Sequence, residues 1–477
     1  MNTIRLSIPR FVLIAVILLN VTLCYSAGKV VILSTNDIHG QIDRFPRLMT
    51  AINECRDTAQ VILIDAGDKW TGNSYVDLVE HYLPIYELMN HAQYDFAVYG
   101  NHEFDRGQAY LHQANTHANF PTLGANVISD TTTFEQPQAY SIIERGGVKV
   151  AFVGAVGNYN TNNHPAGKDE SFEGISFIDP KICAADYAYL KEKNNCDLLV
   201  LVTHMGSMHD TRFANSKYSD GYDMVIGAHS HELIDTIVNG VQLSQAGARL
   251  SYLGVTDISV VGNGEVSYRY RNIPLDNYSN ESQTQIMIDK YYNNPELVSH
   301  IGDAGEIFDS AALRNLFAST ICDASGADIG FYHCGGIRRP SLSKGDIKLV
   351  DILDLEPFKC CVCTMGMTTA QMAQMIIAKF NDKQNLGEAR RVDMVASLPY
   401  TIITDKGTGE AVEVNFPTLT DGEIYKVAVG DYIYETYKGI ECINATNTGV
   451  LVTDVLRKYI SSKGVVQPDS ILYQSIK

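Results

Sequence analysis

The chain has 477 residues, 45% of them apolar and 19% charged, and its formal net charge at pH 7 is −18. This length exceeds what a single hydrophobic core usually supports, so we predict two or three globular domains, and the composition excludes a disordered chain. The negative charge argues against binding to nucleic acid polymers or anionic membranes, but it does not exclude a small anionic ligand at a local cationic or metal site.

The first 27 residues have the pattern of a secretory signal peptide. Arg5 and Arg10 precede an apolar stretch from Phe11 to Cys24, and Tyr25 and the small residues Ser26 and Ala27 follow. This stretch is shorter than the roughly 20 residues that a membrane-spanning helix needs. We therefore predict cleavage near Ala27, a secreted or periplasmic location and no membrane span after cleavage. An uncleaved anchor and a lipoprotein modified at Cys24 are the alternatives.

Six short apolar segments predict buried β-strands, and polar residues follow five of them directly. The segments are Val30–Ser34, Val61–Ile64, Phe96–Tyr99, Val148–Val153, Leu198–Val202 and Met224–Ile226. The polar residues that follow all but the fourth are Asp37 and His39, then Asp68, then Asn101 and His102, then His204, and finally His229 and His231. Such strands with helical stretches between them predict a mixed α/β sandwich, in which ligands gather at strand ends.

Each of these motifs is a weak signal when it stands alone, because a polar residue at a strand end is more often a turn or a cap. The ordered set is more specific. Carboxylate, amide and imidazole groups without thiolate favour a divalent ion such as zinc or manganese. About eight ligands exceed one tetrahedral site and suit two ions roughly 3.5–4 Å apart, an arrangement used for displacement at phosphorus. Asp68, which follows Gly67, is the predicted bridging ligand.

Ten cysteines occur in the chain, nine of them after residue 27, so at least one is unpaired within the mature chain. Cys360, Cys361 and Cys363 lack a second Cys/His pair at zinc-site spacing. We expect these three to be buried or disulfide-bonded strand residues.

The motifs resemble those of the calcineurin-like metallophosphoesterases in order and spacing. In finer detail, "STNDIHGQ" (34–41), "GNHEFDRG" (100–107), "LGANV" (123–127) and "GAHSH" (227–231) are similar to segments of the two-domain 5′-nucleotidase family. That family includes secreted 5′-nucleotidases, UDP-sugar hydrolases and 2′,3′-cyclic phosphodiesterases. The resemblance implies a four-layer αββα sandwich followed by a second, smaller α/β domain that binds the substrate.

The resemblance also implies a role for each polar residue. One metal ion would be held by Asp37, His39, Asp68 and His231, and the other by Asp68, Asn101, His204 and His229. His102 matches the catalytic imidazole of the family, and Asp105 matches the carboxylate that orients it. A metal-activated water would attack phosphorus while His102 stabilises the phosphoryl oxygens. Asp65 is expected to contact the metal ligands without binding a metal ion itself. Glu103 receives no role.

The second half is expected to bind the substrate. Turn signals at Asn239-Gly240 and at residues 262–264 predict hairpins that close a catalytic domain at residues 28–275. Residues 276–310 are predicted to form a linker with a helix at Glu281–Tyr292, and residues 311–477 to form the substrate-binding domain.

Two segments of that half, "ADIGFYHCGGIRRP" (327–340) and "LEPF" (355–358), resemble the nucleotide-binding parts of the family. Arg338 matches a substrate-binding arginine and Phe358 the first stacking aromatic, while His333 and Gly336 lie in the same loop as Arg338. A guanidinium group suits an anion, and an aromatic face stacks on any base.

The chain also departs from the family pattern. His333 stands where the family usually has asparagine, which alters one contact to the base or ribose. The loop before the second stacking aromatic is missing, and either Tyr434 or Tyr437 is expected to replace that aromatic. Arg314 and Arg339 are weaker candidates for anion contacts.

These patterns together predict an exported hydrolase with two divalent ions, acting on nucleoside 5′-monophosphates as small-molecule substrates. The same metal centre would also serve a cyclic-nucleotide phosphodiesterase or a nucleotide-sugar or dinucleotide pyrophosphatase. A binding protein on an inactive phosphoesterase scaffold is a remote alternative, because every ligand position is filled. The sequence does not predict the oligomeric state.

Overall fold

The computed structural model describes residues 28–129, 134–159, 162–261, 265–292, 294–382, 392–437 and 439–477. The predicted signal peptide and the turn signal at residues 262–264 lie outside the described residues. The strands are β1 (Gly28–Thr35), β2 (Val61–Asp65), β3 (Phe96–Val98), β4 (Thr122–Leu123), β5 (Val127–Ser129), β6 (Tyr140–Arg145), β7 (Val148–Val156), β8 (Ile175–Phe177), β9 (Leu198–His204), β10 (Met224–Ile226), β11 (Leu233–Val238), β12 (Val241–Ala246), β13 (Tyr252–Val260), β14 (Val266–Pro274), β15 (His300–Ala304), β16 (Ile329–His333), β17 (Gly345–Lys348), β18 (Cys361–Thr368), β19 (Met394–Ala396), β20 (Tyr400–Thr404), β21 (Ala411–Asn415), β22 (Ile424–Gly430), β23 (Ile443–Leu451), β24 (Val465–Val466) and β25 (Gln474–Ile476).

The α-helices span Phe45–Arg56, Ser74–Asp77, Leu83–Ala92, Gln108–Asn115, Pro180–Asp186, Leu190–Lys193, Ser207–Ala214, Ser282–Tyr292, Ser310–Ser325, Leu349–Leu355, Thr369–Phe380, Asp431–Thr436 and Val452–Lys463. All six strands predicted from the apolar segments are present, as is the helix predicted in the linker.

Two six-stranded sheets form the N-terminal part of the molecule. The first sheet has the order β14-β13-β1-β2-β3-β4, and the second has the order β11-β12-β10-β9-β7-β6. Strands β1, β2, β3 and β4 are parallel to one another, as are β7, β9, β10 and β12. Parallel central strands bring their carboxyl ends to one edge of each sheet, which is where the polar motifs follow in the sequence.

The two sheets pack face to face, and helices cover both outer faces. Ile32, Ile64 and Phe96 of the first sheet share one buried cluster with Phe152 and Val200 of the second. Alternate strand residues point the other way, because successive side chains of a strand lie on opposite faces. Those of the first sheet pack against the helices Phe45–Arg56 and Leu83–Ala92, and those of the second against Pro180–Asp186 and Ser207–Ala214. The result is the expected four-layer αββα sandwich.

The C-terminal part is built on a five-stranded sheet with the order β19-β16-β22-β18-β23. The helices Ser310–Ser325 and Val452–Lys463 pack on one face of this sheet, and the helix Thr369–Phe380 packs on the other. Two three-stranded sheets, β17-β15-β24 and β21-β20-β25, complete this part. The second, smaller α/β unit predicted from the sequence is therefore present.

The region between the two parts is ordered by contacts to both. The helix Ser282–Tyr292 buries Ile288 in the core under the first sheet, whereas β15 pairs with β17 and β24 of the C-terminal part. The first predicted hairpin joins β11 to β12 through Asn239 and Gly240, both with positive φ (50° and 84°), as a two-residue turn requires.

No cysteine of the described residues forms a disulfide, and this includes Cys360, Cys361 and Cys363. Cys360 and Cys363 are buried, as expected, and Cys361 is half-buried. Within the described part of the chain, no helix combines the length and the apolar character that a membrane crossing requires.

The packing between the two sheets generates a stability prediction. Phe152 is fully buried there, with its ring centroid 5.0 Å from that of Phe96. We expect Phe152→Ala to lower the free energy of unfolding by about 3–5 kcal/mol, because it leaves a cavity in the sandwich core. Ile237→Ala on β11, where the side chain is 68% exposed, should change it by less than about 0.5 kcal/mol. Urea titration of both variants measures the difference, and equal midpoints would contradict the packing described.

Candidate active site

The polar residues that follow the central strands meet at one edge of the sandwich. Asp37 follows β1, Asp68 follows β2 and Asn101 follows β3, all in the first sheet. His204 ends β9 and His229 follows β10, both in the second sheet. The two sheets therefore contribute ligands from opposite sides to one site.

Two groups of side chains converge tightly enough to hold a metal ion each. In the first group, Asp37, His39 and His231 place their ligand atoms within 4.8 Å of one another. His39 Nε2 lies 3.1 Å from His231 Nε2, and His231 Nε2 lies 3.3 Å from Asp37 Oδ1.

The second group contains Asp68, His204 and His229, again within 4.8 Å. His204 Nε2 lies 3.0 Å from Asp68 Oδ2, and His229 Nδ1 lies 3.0 Å from Asn101 Oδ1. Asp68 also joins a third group with His39 and His102. Asp68 thus stands between the two groups, where the sequence predicted a bridging ligand.

The chemistry of these groups fits divalent cations. His204 Nε2 is buried, 3.0 Å from Asp68 Oδ2 and 3.8 Å from Asp37 Oδ1. Burial alone would lower the pKa of His204, but the carboxylates of Asp68 and Asp37 raise it to about 10. Burial likewise would raise the pKa of Asp37, but His231 and His204 lower it to about 2. The carboxylates therefore need positive charge at this position, which a metal ion supplies without protonating the imidazoles.

The backbone of the site is strained at five of the predicted ligand residues, and this strained conformation fixes the direction of their side chains. Asp37, His39, Asp68, His229 and His231 all have φ between 49° and 77°. The left-handed region is unfavourable for residues with a Cβ atom, and such strain persists only where the surrounding structure enforces it. The loops after three strands therefore hold their ligands in one conformation before any ion binds.

Two glycines make this close packing of loops possible. A Cβ atom on Gly67 would lie 2.6 Å from Gly100 N, and one on Gly100 would lie 2.1 Å from Asp68 Oδ1. Neither position has room for a side chain. Both glycines therefore allow the loops after β2 and β3 to touch beside Asp68.

His102 and Asp105 form the expected pair beside this centre. His102 Nδ1 lies 2.8 Å from Asp105 Oδ2, and the Thr71 hydroxyl donates to the same oxygen at 2.7 Å. His102 Nε2 lies 4.0 Å from Asp68 Oδ2 and lines a cavity. Burial opposes protonation of His102, but Asp105 and Asp68 outweigh it and raise the pKa of the imidazole.

Glu103, to which the sequence analysis gave no role, holds the loop after β2 and the loop after β3 together. Its Oε2 accepts hydrogen bonds from Asp68 N (3.0 Å) and Gly100 N (2.5 Å), and its Oε1 accepts one from Lys69 N (2.9 Å). Lys69 Nζ lies 3.3 Å from Glu103 Oε1, and both side chains are fully buried. This buried ion pair ties the loop that carries Asp68 to the loop that carries Asn101.

Asp65 lies outside the ligand groups, as expected. The Thr35 hydroxyl donates to Asp65 Oδ2 at 2.8 Å, and Gly67 N donates to Asp65 Oδ1 at 3.0 Å. Burial raises the pKa of Asp65 to about 7.

Two backbone carbonyl groups orient the imidazoles. The carbonyl oxygen of Ala66 lies 2.9 Å from His204 Nδ1, and that of Thr71 lies 2.9 Å from His39 Nδ1. These contacts set the ring orientation of each histidine.

A cavity of about 450 Å³ joins this centre to the C-terminal part. Asn101, His102 and His229 line it on one side, and Arg338 and Phe358 on the other. The Phe358 ring lies 5.8 Å from the His102 ring and 5.7 Å from the Arg338 guanidinium. The structure therefore brings the predicted arginine and aromatic ring beside the predicted catalytic histidine.

The other substrate-binding candidates divide into two sets. His333 and Tyr437 line the cavity, and Gly336 packs against the His333 ring, where a Cβ atom would lie 2.4 Å from Nε2. Tyr434 is 41% exposed and does not line the cavity, so the structure favours Tyr437 of the two tyrosines. Arg314, on the helix Ser310–Ser325, and Arg339, which pairs with Asp351, are also absent from the lining.

Sequence reasoning missed many of the lining residues, among them Lys379, Asp393 and Tyr432. Lys379 lies in the last turn of the helix Thr369–Phe380, Asp393 precedes β19, and Tyr432 lies in the short helix after β22. None of them stands in a recognisable motif, and only the fold brings them together. Tyr432 alone had a signal nearby, since it is the last residue of the "VGDY" segment (429–432) that leads to Tyr434 and Tyr437.

Two family models match successive parts of the chain. Residues 30–233 match the calcineurin-like phosphoesterase family, and residues 303–448 match the 5′-nucleotidase C-terminal domain family. Among curated relatives, the 5′-nucleotidase of Vibrio parahaemolyticus is 26% identical over 515 residues, covering 91% of this chain and 89% of that protein. The trifunctional nucleotide phosphoesterase YfkN of Bacillus subtilis is also 26% identical, over 84% of this chain, but the match spans only 31% of that longer protein.

Solved structures show the same two-part fold. A 5′-nucleotidase precursor from Thermus thermophilus superposes with a TM-score of 0.82 at 20% identity, covering 94% of this chain and 99% of that one. The NAD nucleotidase of Haemophilus influenzae has a TM-score of 0.55 at 17% identity, covering 95% and 100%. Fold, family matches and ligand groups together define a metal-dependent phosphoester hydrolase. Within that class, the chain belongs to the two-domain 5′-nucleotidase family.

The buried ion pair generates a prediction about the centre. Glu103→Gln removes one acceptor from the backbone N–H groups and leaves Lys69 buried without its partner charge. We expect this to lower the free energy of unfolding by about 3–5 kcal/mol and to weaken metal binding. Lys69→Met combined with Glu103→Gln should recover part of the loss, because no uncompensated charge remains.

Urea titration of the metal-free protein and metal titration of each variant measure these effects. Glu413→Gln, an exposed change of the same kind on β21, is the control. A double variant less stable than Glu103→Gln alone would contradict the pairing.

Proposed function

We propose that this chain releases phosphate from nucleoside 5′-monophosphates at a dinuclear metal centre. The observation that carries the proposal is the single cavity that connects His102 and the ligand groups to Arg338 and the aromatic residues of the C-terminal part. Such a cavity accommodates a phosphoryl group at one end and a base at the other. Its volume of about 450 Å³ lies in the range of small-molecule sites.

Asp37, His39, Asp68 and His231 are proposed to hold one ion, and Asp68, Asn101, His204 and His229 the other. Bound there, divalent ions such as zinc or manganese supply Lewis-acid activation of water and neutralise charge at phosphorus. The chain's contribution is a rigid set of ligands, since strained loops, Gly67 and Gly100 leave the side chains little freedom.

His102 is proposed to act on the phosphoryl group directly. Asp105 accepts from Nδ1–H, and the carboxylates of Asp105 and Asp68 raise the pKa of His102 and so favour the imidazolium. The Nε2–H of that imidazolium would then donate to a phosphoryl oxygen as negative charge develops. The Thr71 hydroxyl limits the freedom of Asp105 and thereby orients the pair. Arg338 adds a second cationic donor on the opposite wall, and its Nε makes no hydrogen bond among the described residues.

The nucleotide substrate is supported by the aromatic residues of the cavity and by the relative from Vibrio parahaemolyticus named 5′-nucleotidase. Phe358 and Tyr432 offer ring faces on which a base stacks.

We also infer that residues 1–27 direct export, that residues 28–275 form the catalytic domain, and that residues 311–477 form the substrate-binding domain. N-terminal sequencing of the exported protein tests the first of these inferences.

Metal dependence is tested by removing and restoring the ions. Purified protein stripped with a chelator should lose phosphate release, because Asp68 and the histidines cannot activate water alone. Reloading with zinc, manganese or cobalt should restore release from nucleoside 5′-monophosphates. A panel that adds UDP-glucose, 2′,3′-cyclic nucleotides and NAD identifies the preferred substrate, and activity restored on none of them would refute the proposal.

The role of His102 is tested by His102→Ala. We expect phosphate release to fall by roughly 100- to 10,000-fold, because no donor then faces the phosphoryl oxygens, while metal content remains at two ions per chain. His117→Ala, at an exposed histidine, should leave both unchanged. Loss of metal in parallel with activity would make His102 a ligand, consistent with the group that it forms with His39 and Asp68, and would refute its proposed role.

A further inference from the structure

The loop between β12 and β13 contacts the loop that carries Arg338. In the first of these loops, the guanidinium group of Arg249 donates a hydrogen bond to the backbone carbonyl oxygen of Arg338 at 2.8 Å. Arg338 is among the described residues that line the cavity, and Arg249 is not. Any effect of Arg249 on a bound phosphate therefore passes through Arg338.

The loop that carries Arg249 is fixed to the proposed metal centre. Arg249 N donates to Asp37 O at 2.7 Å, and the Asn36 side chain donates to Gly247 O at 2.6 Å. Arg249 and Leu250 both have positive φ (55° and 51°), and Leu250 is buried in the core under the first sheet. Two consecutive residues in the left-handed region persist only where surrounding contacts enforce them. The position from which the Arg249 side chain extends is therefore set by the loop that carries Asp37.

The backbone of Arg338 is held from both sides. Its N–H donates to Leu355 O at 3.0 Å, within the C-terminal part, and its carbonyl oxygen accepts from Arg249 of the N-terminal part. The two parts also meet where Ser74 N donates to Asp354 Oδ1 at 2.8 Å. The Arg338 side chain therefore extends from a backbone that both parts of the molecule fix.

Charge alone would not keep the Arg338 guanidinium beside the centre once metal ions bind. Burial lowers the pKa of this group, and three nearby carboxylates oppose the effect because they attract its charge. They belong to Asp68, Asp105 and Asp37. Bound divalent cations would cancel the attraction of Asp68 and Asp37, since these two are predicted ligands. A contact that does not depend on those carboxylates is then needed to hold Arg338 in place.

We propose that Arg249 is a positioning residue that fixes Arg338 where the phosphoryl group binds. The proposal rests on the proposed function, since it assumes that Arg338 contacts the phosphate at the metal centre. Arg249 itself makes no contact with the substrate. It connects the loop of Asp37, in the N-terminal part, to a cationic donor from the C-terminal part.

The first test removes the donor without shortening the side chain. Arg249→Met should lower kcat/KM for nucleoside 5′-monophosphates roughly 10- to 100-fold in the manganese-loaded enzyme, as expected when a binding group is displaced by about 1 Å. Arg249→Lys keeps a cationic donor and should recover part of this loss. Arg269→Met, a change of the same kind at an exposed position on β14, is the matched control and should leave kcat/KM unchanged.

A double-mutant cycle separates positioning from a general structural role. Arg338→Ala removes the guanidinium but keeps the carbonyl oxygen to which Arg249 donates. In that background, Arg249→Met should change kcat/KM by less than roughly 2-fold, because the group through which Arg249 acts is gone. Arg249→Lys takes its place in the cycle if Arg249→Met does not fold. A loss of the same factor in both backgrounds would overturn the proposal.

Binding of inorganic phosphate distinguishes failure of this proposal from failure of the proposed function. Isothermal titration calorimetry of the manganese-loaded protein should show weaker phosphate binding in Arg249→Met, and no further weakening when Arg338→Ala is already present. If no phosphate ester is hydrolysed, the proposed function fails, and this pattern of phosphate binding would still support the positioning role. Equal weakening in both backgrounds, no weakening, or no phosphate binding in the unsubstituted protein would overturn it.

Discussion

The rest of the structure depends on one constraint: carboxylates and imidazoles are buried together at one edge of the two sheets. Burial removes water from these groups, and the two carboxylates repel each other. Asp37 and Asp68 are almost completely buried, and their oxygens lie within 4 Å of His204 Nε2. Groups of this kind are costly to bury unless opposite charge compensates them. Bound divalent cations would supply that charge, and the protein must hold the side chains together before the ions arrive. Much of the surrounding structure serves this second requirement.

Several unrelated features of the chain contribute to it. The parallel strands bring the loops to one edge, Gly67 and Gly100 let the loops touch, and Glu103 joins two of them through backbone N–H groups. Positive φ angles at five ligand residues turn the side chains inward. Strain and buried charge both reduce the stability of the fold, and the core between the sheets offsets them. The second domain then completes the cavity, so that catalytic and binding groups come from opposite ends of the sequence.

Much of the sandwich could be predicted because its information is local. Six apolar segments became strands, since short apolar runs between turn residues bury readily in a parallel sheet. The ligand order along the chain was visible because each ligand directly follows a strand. Glu103 remained unassigned for the opposite reason: its role depends on backbone N–H groups from another loop and on Lys69, and no spacing in the sequence reveals those contacts. The choice between Tyr434, in a short helix, and Tyr437, directly after it, depended in the same way on which side chain faces the cavity.

The sequence alone determined the class of chemistry, because carboxylate, amide and imidazole ligands at successive strand ends are specific as an ordered set. It also determined that two domains follow one another, through the motifs of each. Only the tertiary structure decided how the cavity is lined, since Lys379, Asp393 and Tyr432 come from three separate parts of the chain. The physical reason is that a metal ion selects ligands by type, which the sequence displays, whereas a substrate is selected by the relative positions of donors and acceptors, which exist only after the chain has folded.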